Sequence, residues 1–208
     1  MTESKPTVFI VDDDRGVLDS LKFLMRSVGL SAETYQSAIE FLAAFDPERP
    51  GCLVLDVRMP EMSGLELQER LVSMGSNLPI IFITAHGDVP MAVQAVKAGA
   101  VDFVQKPFRD QELIDKIQSA LKQDAELRQQ IADREDIQDR IESLTPRELE
   151  VMHLVVAGKP NKVIAHSLEI SQRTVEIHRS RVMEKMQARS VPHLVQMVIR
   201  ADWREGEP

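Results

Sequence analysis

The side chains best suited to chemistry in this chain stand at the ends of apolar runs. Asp56 ends one such run and Lys106 follows another, while the acidic triplet Asp12-Asp13-Asp14 follows a third. Burying a bare carboxylate is costly unless a partner pairs with it, so an apolar run that ends in Asp56 needs an explanation. Carboxylates grouped with one ammonium suit a divalent cation and a phosphoryl group.

The first half of the chain alternates strand-like runs with helical patterns. Strands are predicted near 8–11, 31–35, 51–55, 79–83 and 101–104, and apolar residues at helical spacing lie between them. This alternation predicts an α/β fold, a doubly wound five-stranded parallel sheet of the flavodoxin-like kind. Functional sites in such sheets lie outside the carboxyl ends of the strands.

A shared position at strand ends is the strongest internal argument for one site. Taken singly, an acidic triplet is usually solvated surface, and Lys-Pro is usually only a loop. The following five residues, however, all follow the ends of predicted strands: Asp12, Asp13, Asp56, Thr84 and Lys106. An aspartate can act as a nucleophile and form an aspartyl phosphate, and Mg²⁺ takes one or two carboxylates plus phosphate oxygens. Mg²⁺ or Mn²⁺ is therefore the expected cofactor.

The charge of the chain is unevenly distributed. The formal net charge is −8, but residues 1–139 carry 14 Lys and Arg against 24 Asp and Glu, whereas residues 144–200 carry 9 against 5 and four histidines. A basic rear segment predicts a module that meets nucleic acid. Cys52 stands alone, and no apolar run approaches the ~20 residues of a membrane span, so we expect a reducing, cytoplasmic setting without a membrane partner.

The rear segment is predicted to be an all-α module of four helices with a helix-turn-helix at its centre. Thr145 and Glu148 form a capping-box pattern, and Asn161 is predicted to cap a short helix. The predicted domains are 1–121 and 144–208. The polar stretch 122–143 between them is predicted to be a helix continuing the one that begins near residue 110, with a flexible linker as the alternative.

The helix predicted at 172–186 has an apolar face and a polar face. A single exposed isoleucine such as Ile177 usually has no functional role. In a major groove, however, Ile177 could contact a thymine methyl, and Glu176 could accept a hydrogen bond from a cytosine amino group. The candidates for contacts with DNA phosphates are Lys162, Arg173, Arg179, Arg181 and Lys185.

Residues 6–122 resemble the receiver domain of bacterial two-component response regulators. The resemblance rests on VFIVDDD, LVLDVRMPEMSG, IFITAHGD, AGAVDF and KPF. It implies that Asp56 accepts a phosphoryl group from a sensor histidine kinase. It also implies that the metal is held by Asp13, Asp56 and the backbone carbonyl of Arg58, with Asp12 acting through water.

The same resemblance implies a switch. Thr84 and Lys106 would sense the phosphoryl group, Phe103 would be the switch aromatic, and the bond between Lys106 and Pro107 would be cis. The helix predicted at 88–98 would change its surface. Met91 and Gln94 would lie on or beside that surface, and His86 would flank the site with Arg58. Ala85 is small and would leave room for the donor phosphohistidine.

The rear segment resembles the LuxR/NarL-type effector domain over residues 144–202, through LTPRELEVM and NKVIAHSLEISQRTVEIHRSRVMEKM. With the receiver, it resembles the FixJ-type subfamily. The resemblance implies that Glu176, Ile177 and Ser180 face bases. It also implies an effector-dimer surface on the last helix, which carries Leu194, Val195, Val198 and Ile199.

These features predict a phosphorylation-dependent, DNA-binding transcriptional regulator. We expect it to dimerise when phosphorylated, to bind a palindromic promoter and to activate transcription with RNA polymerase. The only catalysis expected is phosphoryl transfer to Asp56 and its hydrolysis. The alternatives are a metal-dependent phosphatase, a ligand-binding regulator of the quorum-sensing kind, and a DNA-binding protein whose degenerate receiver is not phosphorylated.

Overall fold

A computed structural model describes residues 5–84 and 100–201. The chain divides into two compact units, Met1–Leu127 and Arg128–Pro208, which are taken separately below. The helix predicted at 88–98 lies outside the described residues, as do Ala85, His86, Met91 and Gln94.

Within the described part of the front unit, five parallel strands form one sheet in the order β2-β1-β3-β4-β5. The strands are β1 (Thr7–Val11), β2 (Ser31–Tyr35), β3 (Gly51–Asp56), β4 (Ile80–Thr84) and β5 (Asp102–Gln105). The register pairs Val11 with Leu55, and Thr84 with Gln105. All carboxyl ends therefore meet at one edge, and the predicted doubly wound parallel sheet is confirmed.

Each face of the sheet has its own apolar core, because successive side chains along a strand point to opposite faces. Phe9 and Leu53 belong to one core, while Ile10 and Val54 belong to the other. Among the described residues, the helices that cover these cores are α1 (Arg15–Ser27), α2 (Ala38–Ala44), α3 (Gly64–Ser73) and the first part of α4 (Asp110–Glu142). Burial on both faces explains why β1 and β3 read as continuous apolar runs.

The rear unit is helical. Its helices are α5 (Pro146–Val156), α6 (Asn161–Ser167), α7 (Gln172–Lys185) and α8 (Val191–Arg200), and they pack around one apolar core. Ile137 and Ile141, on the last turns of α4, also belong to that core. Thr145 and Glu148 form the predicted capping box.

The prediction that Asn161 caps α6 is wrong. Pro160 occupies the N-cap position and Asn161 is the first residue of the helix. The Asn161 side chain accepts a hydrogen bond from the Arg179 guanidinium at 2.6 Å, so its oxygen is used by a neighbouring helix and not by its own first turn.

None of the helices within 5–84 and 100–201 combines the length and the apolar character that a bilayer crossing requires.

Gly51 begins β3 where no side chain fits. A Cβ placed there would lie 2.0 Å from the carbonyl oxygen of Thr7. We expect Gly51→Ala to lower the free energy of unfolding of the front unit by about 3 kcal/mol, the upper range for overpacking, in urea unfolding followed by circular dichroism. Gly75 has a φ of +74° and open space around it, so Gly75→Asn is the matched control. Equal effects of the two substitutions would contradict the steric argument.

Candidate functional site

Asp12, Asp56 and Lys106 converge at the carboxyl edge of the sheet. The Lys106 Nζ donates to Asp12 Oδ2 at 2.7 Å and to Asp56 Oδ1 at 2.9 Å. Asp12 follows β1, Asp56 ends β3 and Lys106 follows β5, so the lysine reaches past the end of β4. The structure thus brings together three of the residues that the sequence placed at strand ends.

Burial makes it costly to keep the groups of this cluster charged. Asp12 is 1% exposed and Asp56 is 7% exposed. Burial raises the pKa of Asp12, and the hydrogen bond from Lys106 opposes that rise. Burial alone would lower the pKa of Lys106, but its hydrogen bonds to the two carboxylates outweigh burial, and the pKa is raised. Two buried carboxylates share one ammonium, so the site keeps an excess of negative charge that a cation would offset.

Backbone groups orient both carboxylates. Asp56 Oδ2 accepts from the Arg58 N–H at 2.8 Å, and Asp12 Oδ1 accepts from the Asp14 N–H at 2.9 Å. Asp14 in turn caps α1, because its Oδ1 accepts from the Gly16 N–H at 2.7 Å. Each carboxylate therefore keeps one oxygen on the backbone and turns the other toward Lys106.

Gly64 is a site residue that the sequence reasoning missed. A Cβ at this position would lie 2.2 Å from the Asp56 carbonyl oxygen, so the loop after β3 returns against the Asp56 backbone only because this residue has no side chain. The Gly64 N–H also donates to the Val57 carbonyl at 3.0 Å. The signal was present in the sequence, as a glycine directly after the helix-capping Ser63.

Thr84 and Phe103 lie on the strands that flank the cluster. Thr84 is 1% exposed, and its carbonyl oxygen accepts from the Lys106 N–H at 2.7 Å. Phe103 is half-buried on β5, beside Phe82 of β4. The bond between Lys106 and Pro107 is cis, as predicted.

Asp13 and the Arg58 side chain are not brought into the cluster in the same way. Both residues are exposed, and within the described ranges neither side chain has a hydrogen bond to Asp12, Asp56 or Lys106. In that part of the chain, no three His, Cys, Asp or Glu side chains converge as a complete metal-binding group.

A groove of about 600 Å³ opens beside Lys106, between α1 and the segment after β5. Val17, Leu24 and Phe108 line it, and so does Phe23, whose side chain is 75% exposed. Sequence reasoning missed Phe23, because on a helix one exposed phenylalanine cannot be told from one that faces the core.

In the rear unit, an ion pair between the buried Glu148 and the half-buried Lys185 joins α5 to the end of α7. Glu148 is 2% exposed, and its Oε2 accepts from Lys185 Nζ at 2.7 Å and from the Thr145 N–H at 3.0 Å. Lys185 also donates to the Ser143 carbonyl at 2.9 Å. The Lys185 ammonium and the Thr145 N–H hold the pKa of Glu148 at about 2. Lys185 therefore has an ion-pair partner, Glu148, inside the rear unit.

The exposed face of α7 carries the predicted base-facing residues. Glu176, Ile177 and Ser180 are all exposed, and Ile177 is 47% exposed. The neighbouring cations differ in their freedom. Arg179 is hydrogen-bonded to Asn161, whereas within the described chain no hydrogen bond or ion pair holds the side chains of Lys162, Arg173 and Arg181.

Two families match this chain. Residues 8–118 match the response regulator receiver domain, and residues 142–198 match the bacterial regulatory proteins of the luxR family. The transcriptional regulatory protein FixJ of Rhizobium meliloti (strain 1021) is 50% identical over 193 residues, 93% of this chain and 95% of that protein. The response regulator protein TodT of Pseudomonas putida is 46% identical over 200 residues, 96% of this chain and 88% of TodT.

Solved structures agree with these matches. The response regulator StyR has a TM-score of 0.88 at 48% identity and covers 95% of this chain and 100% of its own. Full-length FixJ from B. japonicum has a TM-score of 0.60 at 44% identity and covers 96% and 98%.

The chain belongs to the response regulators, with a receiver joined to a LuxR-type DNA-binding domain. Within that family it is of the FixJ type, a phosphorylation-dependent transcriptional regulator. The matches do not favour the alternative of a degenerate receiver.

The pKa of Glu148 gives a test of the ion pair in the rear unit. Because the folded-state pKa of about 2 lies below the ordinary 4.5, the pair contributes stability above about pH 4.5 and loses it as the pH falls toward 2. Lys185→Met leaves a buried carboxylate without its cation, and we expect a loss of about 2 kcal/mol at pH 7 that shrinks toward pH 3. Hydrogen exchange of peptides from 146–186 in urea measures it.

Glu148→Gln with Lys185→Met is the matched control, because it removes the unpaired charge. We expect the double variant to be less sensitive to pH than Lys185→Met. A loss of stability that is the same at pH 3 and pH 7 would show that the ion pair is not its cause.

Proposed function

We propose that Asp56 accepts the phosphoryl group, and that the donor is a sensor histidine kinase. The observation that carries the proposal is the buried Asp56 carboxylate, held by Lys106 and by the Arg58 N–H at the open edge of the sheet. Asp56 would be the nucleophile, so one of its oxygens attacks phosphorus and the bond between phosphorus and the donor nitrogen breaks. Lys106 stays within reach of the new phosphoryl oxygens. The proposed catalysis acts only on the chain itself.

The donor set fits Mg²⁺ or Mn²⁺. Asp12 and Asp56 supply buried carboxylates with more negative charge than Lys106 balances, and Asp13 lies next to them in sequence. We propose that Asp12, Asp13, Asp56 and the Arg58 carbonyl hold the ion, Asp12 through water. A bound divalent cation offsets the charge of the transferred group. Lys106 and the Arg58 N–H orient the Asp56 carboxylate, and Gly64 sets the backbone behind it.

The proposed switch uses Thr84, whose carbonyl accepts from the Lys106 N–H, and Phe103 on the neighbouring strand. An aspartyl phosphate adds charge and acceptor oxygens. Thr84 is the last residue of β4, and its hydroxyl would donate a hydrogen bond to a phosphoryl oxygen. Phe103 lies on the neighbouring strand and is half-buried, so it has room to pack more deeply when Thr84 moves. The altered surface around β5 would then favour a receiver dimer.

The groove beside Lys106 suits the kinase. A protein seated there would lie next to the residue that contacts Asp56, and the exposed Phe23 offers it an apolar contact. We propose that the kinase, which must place a phosphohistidine against Asp56, docks through this groove.

For the rear unit we propose that α7 enters the major groove of promoter DNA in the cytoplasm. Glu176, Ile177 and Ser180 would face bases, while Lys162, Arg173, Arg181 and Lys185 are the proposed phosphate contacts. Lys185 also holds Glu148, so its contribution to DNA binding would be mixed with its contribution to stability. Dimerisation on phosphorylation doubles the contacts and fits a palindromic site, and the bound dimer would activate transcription with RNA polymerase.

The phosphoacceptor can be tested directly. Incubation of the full chain with Mg²⁺ and acetyl phosphate should add the mass of one phosphoryl group, and Asp56→Asn should abolish the gain. Asp19→Asn, which alters an exposed aspartate of α1, is the control and should leave it unchanged. Lys106→Ala should retain some phosphorylation yet lose dimerisation, measured by sedimentation at micromolar concentration. A mass gain that persists in Asp56→Asn would refute the assignment.

The phosphate contacts can be tested by salt dependence. Because each neutralised phosphate adds roughly 0.9 to the slope of log K against log salt, Arg173→Ala and Arg181→Ala should each lower the slope by about 1 per protomer. Lys122→Ala removes the same charge from the front unit and is the control. Fluorescence anisotropy with a DNA fragment selected by the parent protein measures the slopes. Unchanged slopes in both arginine variants would exclude these contacts.

A further inference from the structure

Asp124 is a buried carboxylate that neither the phosphoacceptor site nor the DNA-binding face uses. It lies on α4 and is 3% exposed. Its Oδ2 accepts from the backbone N–H of Gly51 at 2.9 Å, across 73 positions of sequence. A buried charge is retained at little cost only where hydrogen bonds hold it. Asp124 also lies beyond residue 118, where the receiver match ends.

Asp124 continues the buried stripe of α4. Leu113, Ile117 and Ala120 face the core of the front unit, and Asp124 follows at helical spacing on the same side. No residue between 125 and 136 is buried. Asp124 is therefore the last buried position by which the described front unit holds this helix.

The partner of Asp124 is equally constrained. Gly51 is the first residue of β3, and its backbone has no space for a Cβ against the Thr7 carbonyl. The Cys52 thiol is also affected, since burial and then the charge of Asp124 raise its pKa to about 12. The acceptor and the donor are thus both held at the amino end of the strand whose carboxyl end is Asp56, roughly 17 Å away at the usual rise of a strand.

Only one placement of α4 satisfies this hydrogen bond. Sliding the helix by one turn would bring Ala120 or Arg128 to Gly51, and neither side chain can accept a hydrogen bond. The slide would also break the bond between Gly51 and this buried carboxylate, which is unfavourable because a hydrogen bond to a charged group is lost. An apolar residue at 124 would bury as well but would tolerate several placements.

We propose that Asp124 is a register lock: its bond to Gly51 fixes α4 on the base of β3, and the phosphorylation-dependent gain in DNA binding requires it. The second half rests on the proposed function. The helix runs unbroken from Asp110 to Glu142, so a change in the receiver reaches its later turns only if the receiver holds the helix at a defined turn. Asp124 acts here as a positioning residue.

The test uses the full chain with Asp124→Leu, Asp124→Asn and, as matched control, Asp139→Leu, which alters an exposed aspartate of the same helix. In Asp124→Leu we expect the Gly51 amide and the amides of 119–124 to exchange about 10- to 100-fold faster, the range for a hydrogen bond to a charged group. Phosphorylation by acetyl phosphate should be unchanged, but the gain in DNA affinity on phosphorylation should be lost. Asp124→Asn keeps an acceptor oxygen and should retain the gain.

Three results would overturn the lock. One is a full gain in DNA affinity in phosphorylated Asp124→Leu, and another is an equal loss in Asp139→Leu. The third needs no variant that must fold: in the parent protein, amides 119–124 that exchange as fast as those of 125–136 would show that nothing holds the helix there. If phosphorylation of the parent protein gives no gain in DNA affinity, the proposed function fails. The exchange rates would still show whether the bond between Asp124 and Gly51 holds the helix.

Discussion

The sharing of one ammonium by two buried carboxylates is the interaction on which this molecule depends. Asp12 and Asp56 are almost inaccessible to solvent, and within the described residues Lys106 is the ammonium that both carboxylates share. Two carboxylates against one ammonium leave a negative charge, which the proposed cation would offset. The parallel sheet makes the arrangement possible, because it places the ends of β1, β3 and β5 at one edge.

Buried charged groups also hold helices in position elsewhere in the chain. Glu148 ties the first helix of the rear unit to Lys185 at the end of α7, and Asp124 ties α4 to Gly51. A charged hydrogen bond has one satisfactory geometry, whereas apolar contacts tolerate small slides. The proposed phosphoacceptor, the helix proposed to read DNA and the long helix α4 are each held in this way.

Much of the fold was predictable from local pattern. The continuous apolar runs at β1 and β3, with helical spacing between the strands, predicted the doubly wound sheet, and the pattern around Thr145 and Glu148 predicted the capping box. Asn161 misled the prediction, because a residue suited to capping was instead used by Arg179 of another helix. Gly64 and Phe23 were missed for a related reason: their roles depend on what lies across from them.

The sequence by itself determined the kind of chemistry that this protein can do. An aspartate, a lysine and a threonine after apolar runs indicate a site for a cation and a phosphoryl group. The basic helical module indicates binding to nucleic acid. Only the tertiary structure decided which charged side chains are held by a partner within the protein. Lys185 and Arg179 look like Arg173 and Arg181 in the sequence, yet among the residues that the structure describes the first two are held by protein partners and the last two are not. Asp124 looks like any charge on a solvated helix, yet it is buried. The reason is that burial and pairing arise between residues far apart in the chain, and local pattern does not encode that distance.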